Sequence, residues 1–186
     1  MDALDLLLTR ESALKLESPG PSEADLEVLF QSALRAPDHG RLRPWQFVVI
    51  PEEKRVAFGD VLATSMARRN PGAPEEELAR ERAKAMRAPV IVVASAKLAK
   101  EHKIPEVEQL LSAGAAVQNI MLAAKARGYG AMWKTGAPAY DASVKQALGI
   151  APDSEIVGFL YLGTQVGSGI QVPRPVPKDH VSVWAG

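Results

Sequence analysis

Three separate places in the chain carry cations and hydroxyls that together could hold an anion. Arg10 and Ser12 stand near the N-terminus. Arg35 and His39 flank Pro37 and Asp38, and Trp133-Lys134-Thr135-Gly136 lie far downstream. An arginine offers a fixed fork of N–H donors that matches phosphate or carboxylate oxygens, and a lysine offers a point charge. The hydroxyls of Ser12 and Thr135 would add neutral hydrogen bonds. These residue types suit an anionic ligand without choosing one. Taken singly, Arg10 also reads as a solvated charge at a helix end, His39 as a loop histidine, and Trp133 as a core strand residue.

Other chemistries lack their residues. The chain has no cysteine, which removes disulfides, thiolate nucleophiles, cysteine-held zinc and ordinary iron–sulfur clusters. No glycine-rich dinucleotide fingerprint follows a strand, and there is no P-loop, no H-E-x-x-H and no G-x-S-x-G. His39, His102 and His180 are far apart in sequence. Glu101-His102 with Glu106 and Glu108 reads as exposed polar decoration in preference to a metal site. An enzyme built this way takes its chemistry from a bound cofactor.

The elements that must position these residues are legible in the apolar pattern. Leu4, Leu7 and Leu8 make a short helix to about Arg10. After the break at Ser18-Pro19-Gly20-Pro21, Ser22 is an N-cap, with Glu23 and Asp25 at the positive helix end. Leu26, Leu29, Phe30, Ala33 and Leu34 then follow helical spacing until Pro37 disfavours helix in Ala36. Trp45 to Ile50 is a buried strand, Glu52 to Met66 a helix, Asn70 to Pro74 a loop, and Glu75 to Met86 a charged, exposed helix. Pro89 to Ala96 is a second buried strand. Pro105 to Arg127 is the longest helix, carrying the small residues Ser112 to Ala116 and ending at the C-cap Gly128. Gly130 to Lys134 is a strand, Ala139 to Leu148 a helix, and Ile156 to Gly163 a strand. The tail through Gln171 and Pro173, Pro175 and Pro177 is extended. This order predicts an α/β or α+β sandwich, one central sheet covered by helices.

Composition bounds the rest. The 186 residues suffice for one domain, 1–186, with a real core. Hydrophobic residues make up 47% and charged residues 24%, and 22 basic residues balance 22 acidic ones. That argues against broad electrostatic binding to nucleic acid or to an anionic membrane. The acids in Met1-Asp2-Ala3-Leu4-Asp5 do not suit a signal peptide, and apolar runs such as Ala88 to Ala96 are too short to span a bilayer. The expectation is a soluble, cytoplasmic protein.

Three stretches, read together, resemble the nitroreductase family, and most of all its small single-domain bacterial NAD(P)H nitroreductases. Leu7-Leu8-Thr9-Arg10-Glu11-Ser12 is similar to a place where the family has Arg-Arg-Ser around the FMN phosphate and ribityl chain. Glu11 departs from that pattern, and an acid beside a phosphate repels it. Arg35-Ala36-Pro37-Asp38-His39, running into Pro44-Trp45-Gln46-Phe47, resembles the family's Arg-Ala-Pro segment and its Pro-Trp-x-Phe strand. Arg41-Leu42-Arg43 stands where the broader family often has Asn-x-Gln. Gly128-Tyr129-Gly130-Ala131-Met132-Trp133-Lys134-Thr135-Gly136 resembles Gly-x-Gly-x-x-Trp-Arg-Ser-Gly, with Lys134 and Thr135 as conservative replacements. Ala113 to Ala124 and Ile156 to Gly163 are similar to the family's long central helix and last core strand. The likeness covers nearly the whole chain.

The resemblance implies an α+β fold, an α/β/α sandwich, with a mostly antiparallel central sheet and a C-terminal tail reaching a partner subunit. It implies a homodimer with FMN at the interface, touched by Arg10, Glu11, Ser12, Arg35, Pro37, Asp38, His39, Trp133, Lys134, Thr135 and Gly136. It implies a nicotinamide segment at Ala123, Ala124, Lys125, Ala126, Arg127 and Gly128. The implied reaction passes electrons by ping-pong from NADH or NADPH to a nitroaromatic, quinone or similar small acceptor. No protein group is catalytic in it, because flavin N5 carries the chemistry. Alternatives are a flavin-binding redox sensor or storage protein, a reductive dehalogenase-like or oxygen-dependent flavin enzyme, and a flavin-free structural dimer.

Overall fold

The most apolar run of the chain forms the middle of a sheet. In the computed structural model, which describes residues 2–170 and 172–186, this run is β3 (Val90–Lys97), buried up to its final lysine. Strand β2 (Trp45–Ile50) pairs with one edge of β3, and the long β5 (Ser154–Gln165) pairs with the other. Leu160 of β5 pairs with both Val92 and Trp133, so β4 (Gly130–Lys134) lies on the far side of β5. The two-residue β1 (Leu16–Glu17) pairs with the C-terminal end of β5. Every pairing is antiparallel.

Strand alternation sorts the core into two layers. Val90, Val92, Ala94, Ala131, Leu160 and Leu162 face α2 (Glu23–Ala33) and α5 (Glu106–Ala126). Ile91, Val93, Met132, Phe159 and Tyr161 face Phe58 and Leu62 of α3 (Arg55–Arg69) and Val144 of α6 (Ala142–Ala147). Helix α4 (Glu75–Ala83) backs α3, where Gly59 is required: a Cβ there would sit 2.9 Å from the Arg82 carbonyl oxygen. The architecture is α+β, with helices on both faces of one antiparallel sheet.

Several boundaries differ from those the pattern predicts. Residues 52–54 form a 3₁₀ turn, so α3 begins at Arg55. Residues 137–140 form another, carrying Pro138, and α6 restarts because Asp141 accepts the Ser143 N–H. Strand β5 runs beyond both predicted ends, because β1 and β3 supply backbone partners there. The helix read as charged and exposed buries Glu81, 6% accessible, against its neighbours. The last described residues hold no strand; a 3₁₀ turn at 177–179 is their one regular element, and Gln171 of the predicted extended tail lies outside the described residues. The short helix near the N-terminus, α1 (Ala3–Thr9), buries no residue: Leu4, Leu7 and Leu8 are each more than half exposed.

Helix α5 presents two faces. Ala113, Ala116, Val117, Ile120, Met121 and Ala124 are buried against the sheet and α2, while Leu111 is 68% exposed and Gly114, Ala115, Gln118 and Leu122 lie partly open beside it. The predicted Ser22 cap forms a full capping box with Asp25. Asp25 also accepts from Arg127 Nε (2.9 Å) and the Tyr129 hydroxyl (2.7 Å), tying the start of α2 to the end of α5. The Ser22 hydroxyl first, then Tyr129 and Arg127, hold the Asp25 carboxyl well below the usual carboxylate range.

Candidate functional site

Alternation along β4 turns Ala131 and Trp133 toward α5 and Met132 and Lys134 toward the opposite layer. Two adjoining cavities open on that opposite side. One, of about 430 Å³, is walled by Ala13–Leu16, Met86, Met132 and Ile170. The other, of about 230 Å³, is walled by Phe58, Leu62, Pro138 and Phe159 together with Lys84, Thr135 and Gly136. Arg87, Lys134 and Tyr161 line both. Small-molecule sites commonly hold about 300–1,000 Å³, so the joined cleft has the size of one. Its wall carries Lys15, Lys84, Arg87 and Lys134; Lys15 pairs with Glu17 and Lys84 with Glu81 (both 2.5 Å), while Arg87 and Lys134 have no ion pair among the described residues. With its apolar floor, such a cleft suits an anion that also carries a flat or apolar part.

The downstream sequence-predicted residues divide across the sheet. Lys134, Thr135 and Gly136 line the cleft. Trp133 lies on the other face, its Nε1 donating to the Val157 carbonyl at 3.2 Å. It covers Gly158, where a Cβ would fall 2.0 Å from Nε1. Trp133 thus braces β4 against β5 and fixes which way Lys134 points.

The N-terminal group borders the cleft. Arg10 caps the end of α1, its carbonyl accepting from Arg174 Nη2 at 3.1 Å. Ser12 takes the Ile170 N–H on its carbonyl, and the next residue, Ala13, donates to the Ala131 carbonyl of β4 (both 3.0 Å). The Glu11 carboxylate accepts from Gln165 Nε2 (3.0 Å) and the Gly169 N–H (2.9 Å). The acid that departs from the family's pattern is held by donors from the last residue of β5 and from the segment following it.

The third group lies elsewhere. The Pro37 carbonyl accepts from the Ser112 hydroxyl (2.7 Å), and His39 Nδ1 meets Glu108 Oε2 at 2.6 Å. Asp38 accepts the Arg43 N–H, and Arg35 is exposed. These residues sit at the start of α5. At its other end, Lys125 Nζ donates to the Thr9 carbonyl (2.9 Å), next to Arg10. A rise of 1.5 Å per residue separates Ser112 from Lys125 by about 20 Å. Within one chain, therefore, the Arg35–His39 group and the Arg10–Ser12 group occupy opposite ends of the long helix.

Segment 123–128 forms the C-terminal turn of α5: Ala124 is fully buried, Arg127 is engaged by Asp25, and Ala126 and Gly128 are exposed. Sequence reasoning missed Lys84, Arg87 and Tyr161. Nothing in the motif pattern marks them. Tyr161 sits in an apolar strand run, and Lys84 and Arg87 end a charged helix; only the packing of β5 beside the α4–β3 turn brings them together.

The fold is thus that of an α+β protein with helices on both faces of one antiparallel sheet and a cleft lined by Arg87 and Lys134 at the end of β4. The pattern of the nitroreductase family matches residues 7–164, and the chain belongs to that family, a family of oxidoreductases. It is 39% identical over 180 residues to the Escherichia coli protein named "Putative NAD(P)H nitroreductase YdjA", covering 95% of this chain and 97% of that one. In fold it is similar to the nitroreductase-like family protein of Bacillus cereus, with a TM-score of 0.86 at 22% identity over 100% of this chain and 97% of the other. It is similar too to a mutant of the FMN and NADPH-dependent nitroreductase NfnB from Sphigopyxis, with a TM-score of 0.80 at 22% identity over all of both chains.

Proposed function

We propose that this chain, a single domain over residues 1–186, is a cytoplasmic FMN-dependent oxidoreductase working as a homodimer. It carries electrons from NADH or NADPH to a small electron-poor acceptor such as a nitroaromatic or a quinone. The observation that carries the reading is the joined cleft, where Arg87 and Lys134 stand without an ion pair among the described residues. Its residues fit FMN: Lys134 and Arg87 offer charge, Thr135 a hydroxyl, and Met132 and Phe58 apolar surface. The names of the relatives, which include an NAD(P)H nitroreductase and an FMN and NADPH-dependent one, point the same way. Among the described residues no helix is long and apolar enough to cross a membrane.

The chemistry FMN supplies when bound is two-electron exchange: hydride in from the nicotinamide and electrons out to the acceptor, in alternating half-reactions. The chain's own residues bind and orient. Lys134 and the Arg10–Ser12 segment hold negative charge, and Met132 and Tyr161 exclude water from the floor. The nicotinamide is assigned to segment 123–128 by the resemblance, and the Lys125–Thr9 bond sets that segment beside Arg10.

Unfinished burial supports the dimer. A compact monomer of this mass exposes about 8,700 Å², whereas this chain exposes 10,998 Å². Leu4, Leu7, Leu8, Leu111, Val183 and Trp184 account for part of the excess. Antiparallel pairing of α5 with its copy would set the partner subunit's Arg35–His39 group beside the first chain's Arg10–Ser12 group. That makes one site from two groups that a single chain holds about 20 Å apart.

Purified protein is expected to be yellow and to release FMN, not FAD, into the supernatant on heating, and to oxidise NADH or NADPH with a nitroaromatic or quinone. Colourless protein that takes up no added FMN sinks the reading. FMN uptake without turnover leaves a sensor or storage protein.

A further inference from the structure

The Tyr161 ring helps to form the cleft floor, but its hydroxyl is a buried polar group that the reaction as described does not use. It is only 5% exposed, yet its hydroxyl has no hydrogen-bond partner among the described residues. A buried tyrosine hydroxyl ordinarily finds a partner, because leaving it unpaired costs most of its lost hydration. The Tyr161 oxygen is also not sealed away, as Oε1 of Glu81 is: it is absent from the fully enclosed unpaired atoms, and its side chain lines both cavities where they meet. The phenol therefore points an open hydrogen-bonding position into the cleft.

The surroundings set its protonation. Burial pushes the Tyr161 phenol up; Arg87 opposes this and Glu81 reinforces it, with a net rise above the ordinary tyrosine value. At neutral pH the group is an O–H, hence a donor. Arg87, with no ion pair among the described residues, lines the same two cavities beside it. A neutral donor next to a free guanidinium is a pair that grips oxygen atoms of an anion.

We propose that Tyr161 is a ligand-binding residue, donating its hydroxyl, with Arg87 beside it, to an oxygen of the anionic ligand held in the joined cleft. This rests on the reading of that cleft as an FMN site, and it adds strand β5 and the α4–β3 turn to the segments that bind. Tyr161 is thereby a residue of affinity, separate from the Arg10–Ser12 segment.

The test is Tyr161→Phe, with Arg87→Met as a second variant, each purified, stripped of flavin and titrated with FMN by fluorescence quenching. Apoprotein melting is recorded in parallel. Because the hydroxyl bonds to nothing among the described residues, Tyr161→Phe should melt as the wild-type apoprotein does. Its FMN dissociation constant should rise about tenfold, the scale of one hydrogen bond to a charged group. Arg87→Met should weaken FMN by a similar factor. If FMN affinity is unchanged in Tyr161→Phe while the wild type binds, the proposal is overturned and the FMN reading stands. A lowered apoprotein melting temperature with unaltered affinity also overturns it, since the hydroxyl is then structural. Wild-type apoprotein that binds no FMN overturns the functional reading itself.

Discussion

Single residues here are held by more partners than their motifs advertise. If Arg10 holds the cofactor's phosphate, Arg10→Ala should weaken FMN binding by about 1.5–3 kcal/mol and leave apoprotein melting almost unchanged, as read by titration and calorimetry. Equal affinity in the variant would make Arg10 a surface charge. Asp141 carries a prediction about pH. Burial pushes its carboxyl up, but the Ser65 hydroxyl, the hydroxyl and N–H of Ser143, and Arg69 outweigh burial and hold it at about 2, against 3.8 when unperturbed. A depressed carboxyl stabilises the fold above its unfolded pKa and loses that contribution as pH falls through the folded one. Melting temperature should therefore drop as pH goes from 3.8 toward 2, with Asp25 adding to the loss over that range and continuing it to lower pH. Asp141→Asn should be less stable than the wild type at neutral pH and show a shallower acid slope; an unchanged slope would remove Asp141 from the account.

Elements transmit position to the site. Strand β4 is aimed by Trp133 lying across Gly158, so a methyl group at that glycine must move the indole or the Lys134 carbonyl, which a Cβ would approach to 3.0 Å. Gly158→Ala is expected to cost about 1–3 kcal/mol, the range for overpacking, and to weaken FMN binding as Lys134 shifts. Urea unfolding and FMN titration measure the two effects, and full stability in the variant would show that β4 is aimed by something else. The segment after β5 is anchored by Glu11. Replacing that acid with alanine removes an acceptor from the Gly169 N–H and from the Gln165 amide, and protease should then cut the tail after Gln165 faster than in the wild type. Unaltered cleavage would mean that the tail is held by its other contacts.

At the scale of the molecule, the exposed apolar faces of α1, α5 and the tail are the surfaces that the proposed second copy would cover. Leu111→Glu touches no core residue of its own chain, since Leu111 is 68% exposed. On the dimer reading it should convert dimer to monomer in sedimentation and remove FMN, because the Arg35–His39 group would no longer reach the Arg10–Ser12 group. A flavin-loaded monomer in either protein would refute the shared site.

Much of this was written in the chain itself. Apolar periodicity, Ser22 as a cap and the prolines placed the main helices and four of the five strands, because those signals are local and a residue's neighbours in sequence are enough to produce them. Lys134 and Thr135 were legible through the likeness of their stretch to the family, and both line the cleft. The two-residue β1, the restart of the helix at Asp141 and the burial of Glu81 were not, since each depends on a partner far away in sequence. Only the tertiary structure decided that Trp133 and Lys134, adjacent in one motif, face opposite sides of the sheet. It alone brought Tyr161 and Arg87 to the cleft, and it alone put the Arg35–His39 and Arg10–Ser12 groups at opposite ends of α5. The reason is physical: sequence patterns record which residues want burial or charge, while a site is made by which of them the packed sheet and helices bring within reach of one ligand.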